Sequence, residues 1–308
     1  MTDSIPPGEI NSIDYRTHEY NTPQQNNDEN WINRLSICQL PGCFWTLENE
    51  FQFLKQANIS AVGLYRPRFA ESGDQHGLNL LRQSQVQVSS IAWAGGFTGS
   101  HGFSFEEAVA DSCDAVELAY KAGASSVLIA TGSRYGHTRK HTSRLIVEGL
   151  KRVSDFAAKR KVELAIVPMN QEWGGRWTCL SSIDQAMEVV LHCNCPNLGL
   201  GIDFSLLDGT ESFSNTIEGV APHTKLVRLQ SLDAETNSDL LTLDEREELS
   251  IPQEEIINLF LQHDYEGYFE FDLSLKQSDY EGNQDKLMKL YLQQLLNCRD
   301  LFAQSVLI

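Results

Sequence analysis

From residue 34 onward, short β-prone apolar runs alternate with amphipathic stretches. Nothing else in the chain restricts the fold so tightly. The runs cover 35–38, 61–65, 86–93, 125–130, 162–167, 198–203, 225–230 and 269–273. Most are apolar at nearly every position, as suits parallel strands covered on both faces. The intervening stretches carry helix signals. Thr46 precedes Glu48 and Glu50, with Phe51 and Leu54 recurring behind them. Ser104 stands as a cap before Glu106 and Glu107, opening a helix that runs to about residue 122. Further helices are expected near 77–85, 141–160, 182–192, 252–263 and 283–303.

Eight strand–helix units close naturally into a single (β/α)8 TIM barrel. The rival is an open doubly wound sheet, which wants a Gly-rich phosphate turn after an early strand. GxGxxG is absent, so Gly95–Gly96 and Gly174–Gly175 read as loop glycines at the barrel top. The barrel is expected over 34–308. Residues 1–33, with the polar stretch NTPQQNNDEN, read as a flexible or loosely docked extension.

Charge excludes some partners. The formal net charge is −18, a field that repels phosphate backbones and anionic lipid. No run of about 18 apolar residues offers a membrane span, and MTDSIPPGEI has neither the basic start nor the apolar stretch of a signal peptide. The seven Cys contain no CxxC, and Cys193 and Cys195 form an isolated CxC. Reduced thiols in a cytoplasmic protein are the expectation.

In such a barrel the polar residues at strand exits carry the chemistry. The sixth run ends in Asp203, where a carboxylate costs energy unless a cation or donor meets it. In the eighth, Glu270 and Asp272 share one face and Phe269 and Phe271 the other, so the acids point into the barrel. Gln230 and Asp233 end the seventh run, and Val167, Asn170 and Glu172 leave the fifth. Carboxylates converging with an amide oxygen make a site for a hard cation. Each acid can instead cap a helix or pair with an Arg. His137 and His141 lie four apart but lack the HExxH context, and RYGHTRKHTSR reads as a basic helix start or a substrate-phosphate loop. GxSxG is absent.

The order LSICQ, WTLENEFQFLKQANISAVGLYR, VQVSSIAWAGGF, ELAIVPMN, LGLGIDFSLL, VRLQSLD and YEGYFEFDL resembles the xylose isomerase-like TIM barrels, the sugar phosphate isomerase/epimerase group, over roughly 34–305. The resemblance implies one divalent metal (Mn2+, Mg2+ or Zn2+) at the barrel top. A fifth-strand Glu stands before Pro in an EPLN-like pattern; here VPMN puts Val167 there. The sixth-strand Asp is Asp203, and the His expected three residues on is Leu206. The seventh-strand His or Gln is Gln230, and the eighth-strand Glu is replaced by Asp272. The endonuclease branch needs strand-end His residues that this chain lacks.

The resemblance thus implies a sugar isomerase/epimerase-like protein acting on a sugar, polyol or keto compound. Its altered metal site would be Asp203, Gln230 and Asp272, and its proton-transfer base Asp272 or Glu172. Arg66, Trp93, Asn170 and Trp173 would line the pocket. A homo-oligomer fits the family, and nucleic acid and membrane do not fit the charge. Val167 and Leu206 favour the alternative, a catalytically silent barrel that binds a small molecule or a partner protein. A metal-free lyase or dehydratase is equally compatible with these residues.

Overall fold

A computed structural model describes residues 31–39, 46–56, 59–100, 102–170, 175–207, 213–230 and 253–272. Eight parallel strands form a closed barrel in chain order, with β8 pairing back to β1. They are β1 (Leu35–Cys38), β2 (Ala61–Tyr65), β3 (Gln87–Gly95), β4 (Ser126–Ala130), β5 (Glu163–Ile166), β6 (Leu198–Asp203), β7 (Thr224–Gln230) and β8 (Tyr268–Asp272). The described helices are α1 (Leu47–Gln56), α2 (Arg66–Glu71), α3 (Asp74–Ser84), α4 (Phe105–Ala122), α5 (Arg139–Ala158), α6 (Ile183–Cys193), α7 (Phe213–Val220) and α8 (Gln253–Gln262). None is long and apolar enough to cross a membrane. The final expected helix, 283–303, and the extension up to residue 30 lie outside the described residues.

The expected cap is present. The Ser104 hydroxyl accepts from the Glu107 amide, and the Glu107 carboxylate accepts from the Ser104 amide, a reciprocal capping box. At its other end α4 stops at Gly123 in the left-handed region.

Two helices go beyond the sequence reading. Pro67 in the first turn starts α2 directly at the end of β2, and a break around Gly73 separates it from α3. The six residues of α2 are too few to show helical period. In α7, FSNTIEGV holds Ser, Asn, Thr and Gly, which favour helices poorly, so tertiary packing decides its state.

Packing divides each strand by parity. Outward residues such as Ile202, Val227, Phe269 and Phe271 join the main core beneath the helices. Phe269 meets Phe260 of α8 and Tyr265 edge-on at 6.3 and 5.2 Å. Inward residues make a separate lumen, and its two sides differ. Leu128, Ala130, Ala165, Val167 and Leu226 form an apolar cluster with Ala92 and Met169. On the side of β6 to β8 and β1 to β3, the lumen is polar: Asp203, Arg228, Glu270, Ser36, Ser89 and Ser90 are all buried.

Candidate functional site

The polar half of the lumen is built on one layer. Asp203, Arg228 and Glu270 occupy the same register on β6, β7 and β8, and Ser36 of β1 continues it. Residues in register on parallel strands face the same way, so these four side chains meet inside the barrel. Glu270 is fully buried and both of its oxygens are saturated. Oε1 accepts from Arg228 Nε at 3.0 Å, from Arg228 Nη2 and from the Cys38 thiol at 3.0 Å. Oε2 accepts from the Ser89 and Ser90 hydroxyls at 2.6 and 2.7 Å.

A register shift at Val62/Gly63 lets two consecutive serines of β3 face one carboxylate. Gly63 makes the space: a Cβ there would fall 2.3 to 2.6 Å from the Glu270 carboxylate.

Each acid in this layer meets named partners. Burial pushes the Glu270 carboxyl up, but the Arg228 charge and the thiol and hydroxyl donors outweigh it and hold the group below the usual carboxylate range. Burial pushes the Asp203 carboxyl up to about 6; the Asp272 charge adds to the rise, while Arg228 and Ser205 oppose it. Asp203 Oδ1 accepts from the Ser205 amide at 3.0 Å and from its hydroxyl, and Oδ2 lies 3.5 Å from Arg228 Nη1. The expected cost of a buried Asp203 is thus met by both a cation and donors. Burial pushes the Cys38 thiol well above its ordinary value, so it stays protonated and donates.

Asp272 is one layer higher, in register with Gln230, and partly exposed at the mouth. The side chain of Gln230 lies outside the described ones, as do Glu172, Trp173 and Asp233. Trp93 is partly buried beside the apolar cluster, its ring centroid 5.5 Å from Arg228 Cζ. Val167 is 1% exposed and packs beside Gly201 of the neighbouring β6, where an added Cβ would fall 2.9 Å from it. Leu206 also packs on this cluster. The amide of Asn170 donates to the Leu206 carbonyl at 2.6 Å. Arg66 stands outside the layer. Its Nη1 donates to the Trp93 carbonyl at 2.9 Å, and its fork holds Asp111 of α4 at 2.8 and 2.9 Å.

Three features escaped the sequence reading. Arg228 is one, although its spacing of two from Gln230 on an apolar strand signals an inward charge. The second is Glu50, read as a first-turn acid. It is buried, paired with Arg68 at 2.9 Å and bonded by Gln39, which in turn accepts from the Tyr65 amide. The third is the pair Ser89 and Ser90.

His137 and His141 flank Thr138, the cap of α5. Their rings meet edge-on at 4.8 Å, and His137 Nε2 is 3.1 Å from the Thr98 carbonyl. His141 opens a groove of about 770 Å3 along α5 in the outer helical layer, lined also by Lys140, Arg144 and Lys151.

A divalent ion fits the described donors poorly. Among the described residues no three His, Cys, Asp or Glu side chains converge as a metal would require. Val167 offers no donor at the fifth-strand position. Glu270 already spends both oxygens on Arg228, two serines and a thiol, and Asp203 Oδ1 is taken by Ser205. A fixed guanidinium beside them repels a dication. At an effective dielectric of about 20, two unit charges 4 Å apart interact by about 4 kcal/mol, and a dication feels twice that.

The model of the xylose isomerase-like TIM barrel family matches residues 51–291. No curated protein matches the sequence. Among solved structures, a protein from Sinorhizobium meliloti 1021 superposes with a TM-score of 0.71 at 19% identity, covering 86% of this chain and 98% of that one. D-psicose 3-epimerase from Clostridium cellulolyticum H10 gives 0.68 at 10% identity, over 89% and 99%. The 3-keto-D-glucoside 4-epimerase of E. coli gives 0.63 at 10%, over 84% and 98%. At these identities the structures speak for the fold. The family match spans most of the barrel, and this chain belongs to the xylose isomerase-like TIM barrel family.

Proposed function

We propose that this protein binds a carbohydrate-like keto or polyol compound at the C-terminal mouth of its barrel and acts on it as a sugar isomerase or epimerase. One observation carries the reading: the mouth joins a polar side, Asp203, Arg228 and Asp272, to an apolar side, Trp93, Val167 and Met169. A sugar offers hydroxyls to the first and a C–H face to the second. The epimerases named above share the fold and act on such compounds, which supports this assignment.

Asp272 is the base we assign, being the partly exposed acid of the set; Glu172 is the alternative. Asn170, Trp93 and Trp173 line the pocket in this reading, and Arg66 serves it by fixing the Trp93 carbonyl. The ligand is neutral. Arg228 and Glu270 cancel, leaving Asp203 and Asp272 to give the mouth a negative balance.

Incubation with ketohexoses in D2O tests the proposal. Deuterium entering at the carbon beside the carbonyl, seen by NMR and lost in Asp272→Asn, is the expected result. Binding without exchange supports the second reading, a silent barrel, which the apolar Val167 and Leu206 favour. Neither binding nor exchange sinks both.

A further inference from the structure

Asp203 of β6 and Glu270 of β8 meet around one guanidinium, and Asp272 stands one layer above it on β8. We infer that Arg228 is the built-in cation of this mouth: it holds the place between the β6 and β8 acids that a divalent ion would need, and its Nη1 edge is the donor on which a ligand carbonyl or hydroxyl oxygen docks.

The bonding supports both halves of this assignment. Nε and Nη2 are committed to Glu270 Oε1, which fixes the plane of the guanidinium. Nη1 reaches Asp203 at 3.5 Å, the long limit of a hydrogen bond, so its N–H capacity is barely used. Arg228 is 8% exposed. The strands run toward the mouth, and Leu226, two residues earlier on β7, fills the lumen below Arg228. The opening is therefore upward, beside Asp272. Trp93 flanks the guanidinium and limits the directions from which a ligand approaches.

A donor held in this way polarises a carbonyl oxygen without reorganising, the service a Lewis acid gives elsewhere. Asp203 and Asp272 accept from hydroxyls at the same time. The combination suits a neutral hydroxy-carbonyl compound better than an anion. The ligand half of this inference rests on the carbohydrate reading above; the cation half does not.

Mn2+ alone, titrated into the full chain and followed by electron paramagnetic resonance of the free ion, tests the cation. Wild-type protein and Asp203→Asn should bind Mn2+ equally, through the acidic surface only. A stoichiometric population that Asp203→Asn removes overturns the inference. Asp272→Asn is the second control, should Asp203→Asn not fold.

For the ligand half, ketohexose binding should be indifferent to EDTA. It should also weaken about tenfold in Arg228→Lys, which keeps the charge and loses the rigid fork. Binding that EDTA abolishes, or that Arg228→Lys leaves unchanged, overturns it. If no ketohexose binds wild-type protein, the carbohydrate reading and the docking role fall together, and the manganese result still decides the cation.

Discussion

Arg228 and Glu270 stand at the same register on neighbouring strands, and the guanidinium donates through Nε and Nη2 to a single carboxylate oxygen, Oε1. Both groups are buried, so removing one partner leaves an uncompensated charge in the lumen. Glu270→Gln should cost about 3–5 kcal/mol, read as a lower urea midpoint at unchanged slope. Replacing both by apolar residues often restores stability at buried pairs. Here recovery should be partial, because Ser89, Ser90 and Cys38 also end on Glu270 and lose their acceptor. Full recovery in an Arg228→Met, Glu270→Leu double variant would show that those three bonds contribute nothing.

Gly63 is the condition for this arrangement. A methyl group there collides with the carboxylate, and the carboxylate is held on both sides. Gly63→Ala should destabilise by on the order of 3 kcal/mol. Shortening the acid relieves the collision. The double variant Gly63→Ala, Glu270→Asp should therefore lose less than its two single changes together, a coupling that a double-mutant cycle measures.

Much of this was legible in the residues. Strands β1, β2 and β6 fall where the apolar runs predict, because a strand buried on both faces is apolar at nearly every position. Parity points Glu270 and Asp272 into the lumen, and the end of an apolar run marks Asp203 as needing a partner. What stayed hidden depends on register between strands distant in sequence. Nothing in VSS announces that Ser89 and Ser90 converge on Glu270, since that follows from a shift opposite Gly63. Glu50 looked like an ordinary first-turn acid because its partner, Arg68, belongs to a helix too short to leave a period. Arg228 was readable by parity, yet a lone Arg in an apolar strand draws less notice than an acid cluster.

The α4 capping box gives a prediction independent of the site. Ser104→Ala removes the side-chain acceptor of the Glu107 amide and should cost about 1 kcal/mol. The Ser104 hydroxyl and amide hold the Glu107 carboxyl below the usual carboxylate range. A depressed carboxyl stabilises the fold above its unfolded value and loses that contribution as pH falls through its folded value. The stability gap between wild type and Glu107→Gln should thus be widest near neutral pH. It should close as the pH falls below the ordinary Glu value of about 4.3. Parallel urea titrations at several pH values read this directly, and a gap that does not shrink as the pH falls contradicts the box.

Arg66 has two partners of unequal worth. Its pair with Asp111 is about one-third exposed on the acid's side, and such pairs contribute about 0–1 kcal/mol. Its bond to the Trp93 carbonyl is a charge-assisted bond to a backbone group, of the kind worth about 1.5–3 kcal/mol when shielded. Asp111→Asn removes only the first interaction and should lower stability by less than about 1 kcal/mol. Arg66→Met keeps much of the packing but frees the carbonyl, so its loss should exceed that of Asp111→Asn. The same variant should weaken ketohexose binding, because Trp93 flanks Arg228 and its backbone then lacks its anchor. Asp111→Asn should leave that binding nearly intact. Equal effects of the two substitutions on stability and on binding would mean that Arg66 acts through its ion pair alone.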